Sequence, residues 1–245
     1  MTGYVCENLN IIPGISHSFC TAEVAEKPQD LFYCAQQNGA GVIQVGARQQ
    51  AGTIAADAVF TGTTRPIAVV TADCLPILVG SSHDQFVAAI HGGWQGLVDG
   101  VIENSFNAFQ KSGISLQYLH VGIGPAIQAC CYEVDLPLIG KIESVHGHLW
   151  RGRPAPWTVT QRAASKISLG VSATATHANA WLDLSLYCKY LLEAVGVESE
   201  QINVVDKCTY CSGMEFGSYR RRVHFSEPKA FQYSWIRLKA PCELY

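Results

Sequence analysis

The chain has 245 residues, 48% of them hydrophobic and only 15% charged, a balance that suits a compact globular protein and excludes a disordered one. Seventeen Lys and Arg against 20 Asp and Glu give a formal charge of −3 with no long basic run, so generic nucleic-acid binding is not expected. No apolar run reaches the roughly 18 residues of a membrane span, and MTGYVCENLNIIPGISHSF lacks the basic and apolar regions of an export signal, so the ten cysteines are expected as thiols in a reducing cytoplasm.

Residues 1–65 are rich in loop formers, with strands predicted at Ser16–Thr21 and Gly41–Val45 and a short helix after the polar Glu26–Asp30. Pro66–Thr71 is a continuous β-branched run that suits a buried central strand. Two apolar segments follow, Leu75–Val79 and Phe86–Ile90, separated by Gly80-Ser-Ser-His-Asp-Gln85, which is the pattern of a hairpin. Gly96–Lys111 carries Leu97, Val101, Ile102, Phe106 and Phe109 at helical spacing. Gln117–Ile123 is a strand ending at Gly124-Pro125, and Asp135 to Val145 suits a short helix. Arg151-Gly-Arg-Pro-Ala-Pro is a loop, with Gln161–Ile167 a helical candidate. Asp183 can cap a helix with Leu184, Cys188, Leu191, Leu192 and Val195 on its apolar face, stopped by Gly196. Strands at Ile202–Val205 and Gln232–Leu238 follow. Helices mixed with an antiparallel hairpin favour α+β over a doubly wound fold, and the absence of a linker or repeat favours a single domain over 1–245.

The hairpin carries the first candidate chemistry. With its turn centred between Ser82 and His83, Cys74 falls opposite His91, and opposed residues have Cβ atoms roughly 5 Å apart. A thiol beside an imidazole can serve as an activated nucleophile or as half of a zinc site. The plain alternative is a buried small side chain next to a hydrogen-bonded core histidine. Asp73 can orient His91, act as a base or cap a turn. Gly92-Gly-Trp-Gln-Gly96 precedes a helix whose start can hold an anion. Cys130-Cys131, if extended, sends at most one thiol to any pocket. Cys208-Thr-Tyr-Cys211 is an isolated C-x-x-C without a thioredoxin-like setting, so structural thiols are expected there. His83 belongs to a solvated turn. Arg220-Arg-Arg222 after Tyr219 can bind a phosphate or carboxylate, or form a solvated surface with one Arg packed.

Several stretches together resemble the laccase-domain family, also called multicopper polyphenol oxidase-like or purine nucleoside phosphorylase-like. They are Ala56-Asp-Ala-Val-Phe-Thr61, Thr71-Ala-Asp-Cys-Leu-Pro76, His91-Gly-Gly-Trp-Gln-Gly-Leu97, Gly124-Pro-Ala-Ile127, Cys130-Cys-Tyr-Glu-Val134, Leu182-Asp-Leu184, Asp206-Lys-Cys-Thr-Tyr210 and Ser218-Tyr-Arg-Arg221. The resemblance implies two mixed β-sheets packed together and covered by helices, similar to toxin-type cysteine deamidases. It implies a zinc site and action on purine nucleosides with phosphate (adenosine, inosine, methylthioadenosine), with adenosine deamination as a further activity. Cys74 and His91 match two of the family's zinc ligands. The third, the His of a Q-V-H motif, aligns with Gln44-Val45-Gly46, so glycine replaces it, and an incomplete or weak zinc site is expected. Phe19-Cys-Thr-Ala22 also lacks the Arg of the family's F-S-T-R. Multicopper chemistry needs His-rich ligand sets, and only His146-Gly-His148 has such spacing, so copper is not expected. The alternatives are a metal-free Cys–His hydrolase or amidase, of the type that edits peptidoglycan precursors, with Cys74 as nucleophile and His91 as base, and a binding protein without catalysis.

Overall fold

The structure is a computed structural model that describes residues 3–23, 27–46, 48–160, 179–240 and 243. The first elements are β1 (Gly3–Tyr4), α1 (Glu7–Asn10), β2 (Ile15–Cys20), β3 (Phe32–Tyr33), β4 (Val42–Gln44), β5 (Ala58–Thr61) and β6 (Ile67–Thr71). The hairpin β7 (Leu75–Ser81) and β8 (Val87–Gly92) leads into α2 (Trp94–Val98), α3 (Val101–Lys111), β9 (Leu119–Ile123), β10 (Glu133–Asp135) and α4 (Leu136–His146). After them come β11 (Trp157–Thr158), β12 (Asn179–Leu182), α5 (Leu184–Ala194), β13 (Ile202–Val204), α6 (Tyr219–Phe225) and β14 (Gln232–Leu238). The helix expected at 161–167 lies outside the described residues.

Alternation on the central hairpin sets the layers. Leu75, Ile77 and Val79 with Ala88 and Ile90 face one apolar core, while Leu78, Val87 and Ala89 face a second. A strand buried on both faces needs a layer on each side. On the first side lie α3, α4 and α5, which bring Ile102, Phe106, Phe109, Ile139, Ile142, Tyr187 and Leu191 onto the six-stranded sheet β13-β9-β7-β8-β5-β4. On the second side lies the five-stranded sheet β1-β2-β14-β6-β3, which contributes Phe19, Ile67, Val69 and Ile236. Both sheets mix parallel and antiparallel pairs, so the fold is α+β, as expected. A third, three-stranded sheet β10-β12-β11 was not foreseen.

Three local expectations need correction. The chain after Asp30 forms β3, paired parallel with β6, not a helix. The single helix over 96–111 is two, α2 and α3, because Gly100 takes φ +90°. A five-residue α2 is too short for the aligned dipoles an anion site would need. The hairpin register is also shifted by two residues: His91 lies opposite Pro76 and Gly92 opposite Leu75. The cause is the turn, where the Ser81 hydroxyl accepts from the N–H of His83 (3.2 Å) and Asp84 (2.8 Å) and moves the apex one residue on. A two-residue shift preserves the face, so Cys74 remains a diagonal neighbour of His91.

Candidate active site

The site forms where β7 begins and β8 ends, at the edge of the interface between the two large sheets. Asp57 immediately precedes β5, and its carbonyl accepts the N–H of His91 at 2.7 Å, which fixes the two backbones together. The His91 ring donates from Nδ1 to Asp57 Oδ1 at 2.8 Å, both side chains being buried. That leaves Nε2 free to face Cys74, whose sulfur lies near the ring. Burial alone would lower the His91 pKa, but the bond to Asp57 and the neighbouring Cys74 sulfur raise it to about 9. Burial would likewise raise Asp57, yet its bonds from His91 and from the N–H groups of Gly39 and Gln37 hold it below the usual carboxylate range. A third N–H, that of Asn38, donates to Asp57 Oδ1 at 2.9 Å. A buried carboxylate so fully solvated by amides stays charged, and its charge keeps the imidazole protonated.

Gly93 forms the floor beside this pair. A methyl group there would lie 3.1 Å from Asn38 Oδ1, 3.3 Å from Cys74 Sγ and 3.9 Å from His91 Cε1. Asn38, Cys74 and His91 therefore converge on one point. They open into a cavity of about 830 Å³ whose walls include Tyr33, Trp94, Tyr132, Tyr219, Phe231 and Tyr233, with Arg220 also lining it. Tyr219 and Phe231 are large exposed aromatics at its rim.

The residue that meets the Cys–His pair is thus Asn38, in Gln36-Gln37-Asn38-Gly39, and not Gly46. Gly46 lies two residues beyond Gln44, which pairs with Phe60, whereas the end of β5 nearest His91 is Ala58, opposite Val42. Gly46 sits at the far end of β4, where its carbonyl accepts from Arg65. Literal matching of Gln-Val selected the wrong end of the strand. Asp73 is also reassigned. It accepts from Thr209 Oγ1 (2.6 Å), Ser218 Oγ (2.9 Å) and the Arg220 N–H (2.7 Å), at φ +86°, and so braces the turn before Cys74 without touching His91. Asp57 performs the orienting role. Its signal in the sequence was an acid at the start of an apolar strand, a position that is costly unless fully bonded.

Elsewhere, one Arg of the triplet is packed, as considered: Arg221 donates to the carbonyls of Thr209, Tyr210 and Phe216. His146 is buried against the Tyr187 hydroxyl at 2.6 Å and Glu103 at 3.3 Å. Exposed His83 packs against Tyr118 with the rings tilted, centroids 4.7 Å apart. Of the cysteine expectations, the one for Cys130-Cys131 fails, whereas structural thiols at Cys208 and Cys211 remain compatible with the structure. Cys130 and Cys131 lie in a turn closed by N–H donation from Cys131 and Tyr132 to the Gln128 carbonyl, so the pair is not extended and both thiols face one way. The sulfurs of Cys130, Cys131, Cys208 and Cys211 all lie within 4.8 Å of one another, a set able to hold a metal ion.

The layered sheets, the Cys–His pair at the hairpin end and the braced Asp73 turn define a protein of the laccase-domain type. The chain belongs to the family described as multi-copper polyphenol oxidoreductase laccase, which it matches over residues 16–227. It is 30% identical over 211 residues to purine nucleoside phosphorylase YlmD of Geobacillus stearothermophilus (82% of this chain, 70% of that one). It is 31% identical over 205 residues to purine nucleoside phosphorylase YfiH of Escherichia coli (83% and 72%). A match to a purine nucleoside phosphorylase of Haemophilus influenzae, at 36% identity, spans 46% of this chain and 45% of that protein's length. The crystal structure of YlmD superposes with a TM-score of 0.75 over 94% of this chain and 93% of that one, at 22% identity, which supports the fold. A Neisseria meningitidis protein gives the same TM-score at 20% identity, over 98% of this chain and 99% of that one.

Proposed function

We propose that this chain is a purine nucleoside phosphorylase-type enzyme that works at the Cys74–His91–Asp57 site. The observation that carries the proposal is the convergence of Cys74, His91 and Asn38 on Gly93 at the base of the aromatic cavity. A volume of about 830 Å³ suits a nucleoside with phosphate. The aromatic walls offer faces for a purine, and Arg220 offers a guanidinium for phosphate.

The family implies a zinc ion, for which Cys74, His91 and Asn38 are the nearest donors. Cys74 and His91 are strong donors, with Asp57 behind the imidazole as such ligands usually have. The third position holds the amide oxygen of Asn38, where a catalytic zinc ordinarily has His, Cys or carboxylate. This set does not fit a tightly held zinc, so the chemistry is assigned to the side chains alone. His91, protonated at neutral pH, donates from Nε2 to the purine ring nitrogen as the C1′–N9 bond breaks. Asp57 stabilises the charged ring throughout. Inorganic phosphate held by Arg220 attacks C1′, giving the sugar 1-phosphate and the free base.

A second class of activity is favoured by one observation. The order Cys74, His91, Asp57 is that of a cysteine-hydrolase triad, in which His91 takes the thiol proton and Cys74 attacks a carbonyl. The deciding assay measures base release from inosine, adenosine and methylthioadenosine with and without inorganic phosphate, with excess chelator present. Phosphate-dependent release, lost about 10²-fold or more in His91→Ala, is the expected result. No release, together with amide hydrolysis that iodoacetamide abolishes, would establish the hydrolase. No turnover of either kind, with nucleoside binding retained, would leave a binding protein.

A further inference from the structure

We propose that Cys130, Cys131, Cys208 and Cys211 bind one zinc ion as a closed structural site, separate from the Cys74–His91 pair, and that this ion fastens one wall of the active-site cavity. A tetrahedral zinc with Zn–S bonds of about 2.3 Å sets its sulfurs about 3.8 Å apart. Cys130 Sγ lies 3.5 Å from Cys131 Sγ and 4.0 Å from Cys211 Sγ, and all four sulfurs fall within 4.8 Å. That spacing fits a single ion and is too tight for thiolates spread around an iron–sulfur cluster.

Backbone geometry favours thiolates as well. The Gln128 N–H donates to Cys208 Sγ at 3.5 Å. Bonds of this kind from outside the coordination sphere orient metal-bound sulfur and stabilise its charge. Around the sulfurs the apolar support is slight: Ile127, Cys208 and Tyr210 form a cluster of their own, apart from both large cores. A group that small needs a crosslink to be rigid.

The consequence for the cavity follows from what the two loops carry. Ala126 and Cys208 form an isolated bridge, with Thr209 N–H donating to the Ala126 carbonyl at 3.0 Å. Ile127 and Tyr132 on one loop line the cavity, and Arg220 lies 5.4 Å over the Tyr132 ring. Thr209 on the other loop holds Asp73, the residue before Cys74. Zinc binding across the two loops therefore fixes Tyr132 and the Asp73 turn together.

The test is metal analysis of the purified full chain after dialysis against a weak chelator. One zinc per chain is expected in the wild type and still in Cys74→Ser, but not in Cys208→Ser or Cys211→Ser. Zinc-edge X-ray absorption on Cys74→Ser, which does not depend on whether the cluster variants fold, should show four sulfurs at about 2.3 Å. Zinc lost from Cys74→Ser, a mixed nitrogen–sulfur shell or iron in its place would overturn the assignment. So would disulfides joining these cysteines in mass mapping of freshly alkylated protein.

Discussion

Asp57, His91, Cys74 and Asn38 decide what the site can do: the first two are buried, Cys74 is half-buried and Asn38 is exposed. Asp57→Asn keeps an oxygen for the amides but removes the charge that holds His91 protonated. Activity should fall by about 10²-fold or more, and the alkaline limb of the pH–rate profile should move to lower pH because the imidazole loses the charge that holds its proton. Cys74→Ser should abolish a hydrolase and weaken a phosphorylase less. In either case thermal unfolding should change by under about 1 kcal/mol, because Cys74 lines a cavity rather than a core. Asn38→His would supply the missing third donor. Its backbone already takes φ +58°, a conformation in which Asn and His are enriched, so the swap brings little new strain. Zinc retained after dialysis should rise by one equivalent over wild type. Equal zinc in both proteins would mean that Asn38 is not the third position. Gly46→His, at the far end of β4, should leave zinc unchanged.

At the scale of elements, local sequence pattern was informative wherever a single period or a single cap controlled the outcome. Asp183 caps α5 by accepting the Leu186 N–H at 2.9 Å, and Gly196 ends that helix region with φ +95°. β6 and β14 lie within a residue of their expected ranges because continuous β-branched and alternating apolar residues leave little choice. Two kinds of feature were not legible. Short pairings such as β10 with β12 depend on partners more than 40 residues away. The four-cysteine cluster depends on a turn at Gln128 that no spacing rule reveals. Asn38 was missed because its role comes from tertiary placement, while its own neighbours signal only a turn. The break at Gly100 belongs between these cases, since helical spacing runs straight through it. Gly100→Ala should destabilise by roughly 1 kcal/mol or more, measured by urea unfolding. The cost is conformational, because a Cβ there would meet nothing closer than Glu103 Oε2 at 3.6 Å. A neutral or stabilising effect would mean that α2 and α3 can merge.

For the whole molecule, acid stability should depend on one ring far from the active site. Buried His17 accepts the Cys6 N–H on Nε2 at 2.8 Å, which requires an unprotonated nitrogen. Burial lowers its pKa from 6.5 to about 4. The fold therefore favours the neutral ring. The stability this contributes is fully present above pH 6.5 and is lost as pH falls toward 4, by at most about 3 kcal/mol. Chemical denaturation between these pH values should show the loss, and His17→Gln should flatten it. An unchanged slope in that variant would assign acid sensitivity to other groups.

The position of β14 has a consequence for synthesis. It lies between β2 and β6, hydrogen bonded to both, in the interior of the five-stranded sheet. The six-stranded sheet draws on nothing beyond Val204. On the ribosome, that sheet can pair while its neighbour still waits for residues 232–238, leaving Ile67, Val69 and Phe19 facing an unfilled slot. A nascent chain arrested before Gln232 would thus present two separated strand edges to chaperones, and release of the last strand would close the gap between them in one late, cooperative step.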